Sequence, residues 1–169
     1  LFFYIHCIAY FLNLNNFSRY MKLLFTGASG FLGRNIYQLL EKTYVIKTVG
    51  LTPQDDYKID IARNIPVLEV FDIVLHAAGK AHSTPKTEEE KQAFFDVNLQ
   101  GTKNLCTALE QSGIPKAFIF ISTVAVYGCD SGENITEEHP LNGTTPYALS
   151  KIKAEKYLQH AAQYQIPLR

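Results

Sequence analysis

Tyr147 and Lys151 stand four residues apart in the segment Pro146-Tyr147-Ala148-Leu149-Ser150-Lys151. Pro146 suits the first turn of a helix, so the phenol and the ammonium fall at i and i+4 on one helical face. An ammonium within a few ångström of a phenol stabilises the phenolate and moves tyrosine toward acid–base work near neutral pH. Tyr and Lys meet at this spacing by chance on many helices; the pair gains meaning from Ser122-Thr123, which follow the apolar run Ala117-Phe118-Ile119-Phe120-Ile121. Hydroxyls at the carboxyl edge of a buried parallel strand sit beside the crevice where ligands bind.

A second chemistry-bearing stretch comes earlier, where Gly27, Gly30 and Gly33 recur every three residues in Phe25-Thr26-Gly27-Ala28-Ser29-Gly30-Phe31-Leu32-Gly33. Lys22-Leu23-Leu24-Phe25 enters it as a buried strand, and Phe31, Leu32, Ile36, Leu39 and Leu40 leave it on one helical face. A strand that turns abruptly into a helix aims the first helical N–H groups into the crevice, which makes an anion site. Gly27 can take a backbone conformation denied to other residues, Gly30 lets a pyrophosphate approach the main chain, and Gly33 lets the helix pack close to the sheet. The spacing is GxxGxxG, not GxGxxG. A bare triplet also fits a tight turn; the strand–turn–helix context makes it a phosphate loop.

The elements that must position these groups follow in order. Tyr44 to Val49 reads as a second strand ending at Gly50. An Asp or Glu there would bind the adenosine ribose of NAD and an Arg would favour NADP, but Gly50-Leu51-Thr52 leaves the preference open. Tyr57-Lys58-Ile59 forms a short third strand leading to Asp60-Ile61. The Asp60 carboxylate either accepts from an adenine amine or N-caps a short helix that follows. Phe71 to His76 enters Ala77-Ala78-Gly79, whose small side chains let something flat lie against the backbone. His76 and His82 lack a carboxylate or Cys at ligand spacing, so a structural or exposed role is expected and no metal. Lys86 to Lys91 opens a long helix that carries Phe94, Phe95, Val97, Leu99, Leu105 and Leu109 to Gly113. Asn98 within it is a buried hydrogen-bonding residue or a cofactor contact. A last helix runs from Lys151 to Gln165, and Ile166 to Arg169 reads as the start of another strand.

The 169 residues, 47% of them apolar, suffice for one core. Lys plus Arg and Asp plus Glu each number 16, so net charge offers no case for nucleic acid or an anionic membrane. Cys7, Cys106 and Cys129 are too scattered for a disulfide framework or a zinc site, and a cytoplasmic location is the expectation. Leu1 to Leu12 is apolar but shorter than a bilayer span and lacks the basic start of a secretory signal. Residues 1–20 are expected to be an over-extended start or added leader, with a membrane-associating segment as the alternative and Met21 opening the folded domain, 21–169.

Taken together, these residues resemble the extended short-chain dehydrogenase/reductases, in particular the NAD-dependent epimerase/dehydratase branch acting on nucleotide sugars. The resemblance runs from Met21 to Arg169 through the glycine loop, Asp60-Ile61, His76-Ala77-Ala78-Gly79, Val97-Asn98 with Gly101-Thr102, Ser122-Thr123 with Val126-Tyr127-Gly128, and Tyr147 with Lys151. It implies an α/β Rossmann-type doubly wound parallel sheet in three layers. It also implies NAD as cofactor, with NADP not excluded. Gly27, Ser29, Gly30, Phe31, Leu32 and Gly33 would hold the pyrophosphate, Asp60 and Ile61 the adenine, and Ala77, Ala78, Gly79, Asn98 and Ser122 would line the cofactor. Lys151 would hold the nicotinamide ribose and tune Tyr147, which takes a proton from a sugar hydroxyl as hydride leaves. Thr123 would hydrogen-bond the same oxygen.

Two departures qualify it. The Asp-Glu that typically follows the catalytic Thr in 4,6-dehydratases is Val124-Ala125 here, which favours epimerisation or ketone reduction over elimination. Family members also continue past the position of Arg169 into a substrate domain, so the expected whole is a homodimer whose sugar site lies largely beyond this chain. The competing expectations are a nucleotide-sugar ketoreductase, a non-catalytic dinucleotide-binding regulator, and an inactive fragment.

Overall fold

Leu23 and Phe25 point to one side of their strand and Leu24 to the other, and each side is covered by helices. The computed structural model describes residues 21–81, 83–129, 131–132 and 134–163. Residues 1–20, expected to be a leader, His82, and residues 166–169, expected to begin a last strand, lie outside them. Five strands form one parallel sheet: β1 (Lys22–Thr26), β2 (Val45–Gly50), β3 (Tyr57–Lys58), β4 (Ile73–His76) and β5 (Ala117–Phe120), in the order β3-β2-β1-β4-β5. The strand order reverses between β1 and β4, and ligands of such sheets bind in the crevice at that switch point.

On one face α1 (Phe31–Leu40) packs Ile36, Tyr37 and Leu40 over Leu23, Phe25 and Leu75. On the other, α3 (Gly101–Ser112) and α4 (Pro146–Gln163) pack Leu105, Cys106, Leu109, Ala154 and Leu158 over Leu24, Val74, Phe118 and Phe120. The result is the expected three-layer Rossmann-type arrangement. No described helix is long and apolar enough to cross a membrane.

Two expectations need correction. The long helix ending at Gly113 is divided into α2 (Glu88–Phe95), a π-helical turn (Asp96–Gln100) and α3. Gly101 N–H reaches back five residues to Asp96 O, and Thr102 Oγ1 donates to Asn98 O at 2.7 Å. The insertion turns Asn98 inward, and π-turns of this kind recur at functional sites. The helix expected after Asp60 is a single turn: Arg63 and Asn64 N–H both return to Asp60 O. Pro66 follows, and the residue before a proline disfavours helical geometry, so the turn does not propagate.

Candidate active site

The first glycine of the loop lies against the exit of β4. Gly27 has φ +78°, and a Cβ built on it would stand 2.5 Å from Ala78 N and 2.6 Å from Ala77 C. A Cβ on Gly33 would meet Ala28 C at 2.6 Å, so the close approach at this glycine is to the backbone of the loop rather than to the sheet expected of it. Gly30 is the N-cap of α1; no side chain caps this end and its first turn holds no carboxylate. The first-turn N–H groups, from Phe31 onward, therefore face outward without intrahelical acceptors, in a positive dipole end. Phe31 is 78% exposed and Ser29 is exposed as well, so these positions offer mainly backbone.

Beneath the loop runs a buried polar chain. Thr102 uses its one proton on Asn98 O, so it must accept from His76 Nε2–H at 2.9 Å. His76 Nδ1 is then the acceptor for Thr26 Oγ1–H at 2.6 Å, and Thr26 Oγ1 accepts from Ala78 N–H. Both ring nitrogens are engaged by threonines, which is the structural role expected for His76. Among the described residues no His, Cys, Asp and Glu cluster is placed to hold a metal ion.

The ring is fully buried, and burial pushes its pKa down to about 3. The unfolded chain takes up a proton at this residue below about pH 6.5 and the folded chain does not until about pH 3, so acidification across that window favours unfolding. His76→Leu leaves two buried hydroxyls short of a partner and is expected to cost about 2–4 kcal/mol in urea unfolding. It should also flatten the loss of stability between neutral pH and pH 4, and an unchanged acid slope would contradict this account.

Asn98 clamps the exit of β4 to α4. Its Oδ1 accepts from Lys80 N–H at 2.7 Å, and its Nδ2 donates to Lys80 O at 3.0 Å and to Ser150 Oγ at 2.9 Å. Of the two expectations for Asn98, the buried hydrogen-bonding residue is what this geometry displays. Lys151 is 4% exposed; Nζ donates to Ile121 O at 2.8 Å, lies 4.4 Å from the Phe120 ring centroid, and would meet a Cβ on Gly79 at 3.4 Å. The ammonium thus sits between the ends of β4 and β5. Burial lowers its pKa to about 8, with Glu155 pulling the other way.

Ser122 and Thr123, just beyond the end of β5, turn to different partners. Thr123 Oγ1 accepts from Ala125 N–H at 3.2 Å and caps the 3-10 turn Val124–Tyr127, which leaves its own proton to donate. Ser122 Oγ instead donates to the buried carboxylate of Glu155. This bond ties Ser122 to α4. Tyr147 is half-buried, with its ring 6.2 Å from that of Phe94, on the same helix as Lys151. Asp60 Oδ1 accepts from Ala62 N–H and leaves the rest of the carboxylate at the end of β3, 3.7 Å from Arg63. The Ile61 side chain belongs to the core, and its carbonyl is held by Asn104 at 2.7 Å.

Residues 23–168 match the model of the NAD dependent epimerase/dehydratase family. The chain belongs to that family. It is 34% identical over 146 residues to N-acetyl-alpha-D-glucosaminyl-diphospho-ditrans,octacis-undecaprenol 4-epimerase of Escherichia coli O157:H7, covering 81% of this chain and 42% of the relative. RMD from Pseudomonas aeruginosa, solved with NADPH, superposes with TM-score 0.72 at 28% identity over 88% of this chain and 52% of that one. The dTDP-glucose 4,6-dehydratase DesIV of Streptomyces venezuelae, solved with NAD and TYD, gives TM-score 0.73 at 25% identity over 88% and 54%. The chain spans about half the length of the curated relatives it matches.

In this member of the epimerase/dehydratase family, sequence reasoning missed Glu155, Ser150 and the pairing of Thr26 and Thr102 through His76. Glu155 had a readable signal: positions 147, 151 and 155 share one helical face. The others had none, since their partners lie 26 to 52 residues away.

Proposed function

We propose that this chain is the cofactor-binding and proton-transfer part of an NAD(P)-dependent epimerase or ketoreductase of nucleotide-activated sugars. The observation that carries the reading is the buried Lys151 ammonium, tied to Ile121 O between the ends of β4 and β5, on the helix that also presents Tyr147. A lysine is buried at such a cost where its charge has a task.

The residues present fit a dinucleotide: α1 has an uncapped N-terminus, and the glycines above it leave no room for side chains on the loop's inner surface. The first turn of α1 holds the pyrophosphate, Asp60 the adenine, and Lys151 uses its remaining N–H donors on the nicotinamide ribose. When bound, the nicotinamide supplies hydride acceptance and return. Tyr147 takes the proton of the sugar hydroxyl that becomes a carbonyl, and Lys151 steadies the charge left on the phenol. Thr123, its oxygen already accepting from Ala125, directs its proton to that sugar oxygen as negative charge grows there. Val124 and Ala125 follow it where an elimination would need proton-exchanging side chains, which favours epimerisation or reduction.

The test is calorimetric titration of the protein with NAD+ and NADP+, followed by nicotinamide absorbance on addition of UDP-hexoses and of GDP- and dTDP-linked keto sugars. Binding and redox change are the expected results; binding of neither dinucleotide removes the proposal. The rate should fall as pH rises through about 8, where Lys151 loses the proton that the mechanism requires. A rate that stays flat to pH 10 would take Lys151 out of its assigned role.

A further inference from the structure

We infer that Asp55 reads the adenosine ribose and makes this protein select NAD over NADP. The inference rests on the dinucleotide-binding reading above and goes beyond it, since a relative of this chain was solved with NADPH and another with NAD. In dinucleotide-binding sheets a carboxylate at the end of the second strand accepts from the ribose 2′-hydroxyl, and its charge repels a 2′-phosphate. Here β2 ends in Gly50, which has no side chain to offer.

The structure supplies the carboxylate from elsewhere. Val49 is paired with Thr26, so Gly50 stands level with Gly27, the first glycine of the phosphate loop. A Cβ built on Gly50 would lie 2.7 Å from Asp55 Cγ and 2.8 Å from Asp55 Oδ1. The Asp55 carboxylate therefore fills the space into which a side chain at position 50 would project. Glycine at position 50 is what admits it, because any larger residue would collide with it.

The carboxylate is held in place by its own turn. Thr52 N–H and Thr52 Oγ1 donate to Asp55 Oδ2 at 2.8 and 2.7 Å, and Asp55 N–H returns to Thr52 O at 3.2 Å. Both side-chain-directed bonds fall on Oδ2, which leaves Oδ1 to accept from a ribose hydroxyl. Among the described residues no Lys or Arg is ion-paired with Asp55; Lys47, on the same strand as Gly50, is paired with Asp56 at 2.8 Å. The charge of Asp55 is thus not neutralised by a cation, and a 2′-phosphate brought to it meets like charge. The opposing group is Lys58, the sheet partner of Gly50, which is exposed and would attract that phosphate if it governed the site.

Titration calorimetry of the protein with NAD+ and with NADP+ decides between them. NAD+ should bind at least about tenfold more tightly, and the gap should narrow as salt is raised, because like-charge repulsion is screened. Asp55→Asn, which can still accept from Thr52, should close the gap by about tenfold, chiefly by strengthening NADP+. Asp55→Ala should shift the ratio the same way, and thermal unfolding without ligand identifies any variant that has lost its fold. On the unmodified protein, displacement by adenosine 5′-monophosphate should exceed displacement by adenosine 2′,5′-bisphosphate. Equal or tighter binding of NADP+ by the unmodified protein overturns the inference while leaving the dinucleotide-binding reading intact. So does an unchanged ratio in folded Asp55→Asn, or a selective loss of NADP+ binding in Lys58→Ala that leaves Asp55 without effect. Binding of neither dinucleotide overturns both.

Discussion

Replacing Tyr147 by Phe should lower turnover by roughly 10²–10⁴-fold while leaving NAD+ affinity within about threefold. The substitution deletes one oxygen and keeps the ring whose centroid lies 6.2 Å from that of Phe94, so α4 retains its seat against α2. Lys151 keeps its bond to Ile121 O and hence its place beside Gly79. Cofactor binding, which depends on the loop and on Lys151, should survive, and the thermal midpoint should not move. Loss of rate without loss of binding or stability is the signature of a proton acceptor. A variant that turns over within about threefold of the unmodified protein would remove Tyr147 from that role. A regulatory dinucleotide-binding protein would bind the cofactor and have no turnover to lose.

The largest effect on the fold is expected at Gly27. Alanine there takes a φ of +78°, which alone costs about 1 kcal/mol. Its methyl must also sit 2.5 Å from Ala78 N and 2.7 Å from Ala77 O, atoms of backbone rather than of a side chain that can swing away. Relief would require breaking Ala77 N–H to Thr26 O, at 3.1 Å, and Ala78 N–H to Thr26 Oγ1, at 3.2 Å. The combined penalty should exceed about 3 kcal/mol and lower the thermal midpoint by about 10 °C. Gly30→Ala is the contrast: φ is −72° and the nearest atom to the added carbon is Gly27 O at 3.2 Å. Its stability should change by less than about 1 kcal/mol, yet on the proposed function dinucleotide affinity should fall, because the methyl would stand where the pyrophosphate approaches the helix end. A Gly27→Ala protein that melts within about 2 °C of the unmodified one would overturn the close-approach argument.

The two glycine variants separate two demands that one motif combines. Gly27 is required by the protein's own packing, whereas on the proposed function Gly30 would be required by what the loop is to hold. The spacing Gly27-x-x-Gly30-x-x-Gly33 is visible in the chain, but this division of labour is not. It depends on Ala77 and Ala78, fifty residues away, arriving beside Gly27 through β1–β4 pairing.

The same contrast runs through the site. Tyr147 and Lys151 were legible as a pair because helical geometry is local: four residues bring two side chains to one face whatever surrounds them. Four of the five described strands were legible for a related reason, since buried parallel strands are short apolar runs, whereas β3 is only Tyr57–Lys58 with Lys58 exposed. The helix from Glu88 to Ser112 was legible in extent but not in form. Its π-turn accompanies the bonds of Asn98 to Lys80 and Ser150, and the chain code contains no local sign of those partners. Ser122 and Thr123 looked equivalent as two hydroxyls at a strand end. Beyond the end of β5 one turns to Glu155 and the other to the Ala125 turn, and neither partner is marked in the local sequence.

By itself, then, the sequence determined what is set by short-range geometry: the strand–glycine–helix turn, the Tyr147–Lys151 spacing, the apolar runs of a parallel sheet and the family they indicate. Tertiary structure alone decided which polar groups meet. It placed His76 between Thr26 and Thr102, Asn98 between Lys80 and Ser150, Ser122 under Glu155, and the Asp55 carboxylate in the space above Gly50. The physical reason is that a buried polar atom must find a partner wherever the packed layers bring one. Most of these partners lie tens of residues away in the chain, and even Asp55, five residues from Gly50, reaches it only because the Thr52 turn folds back.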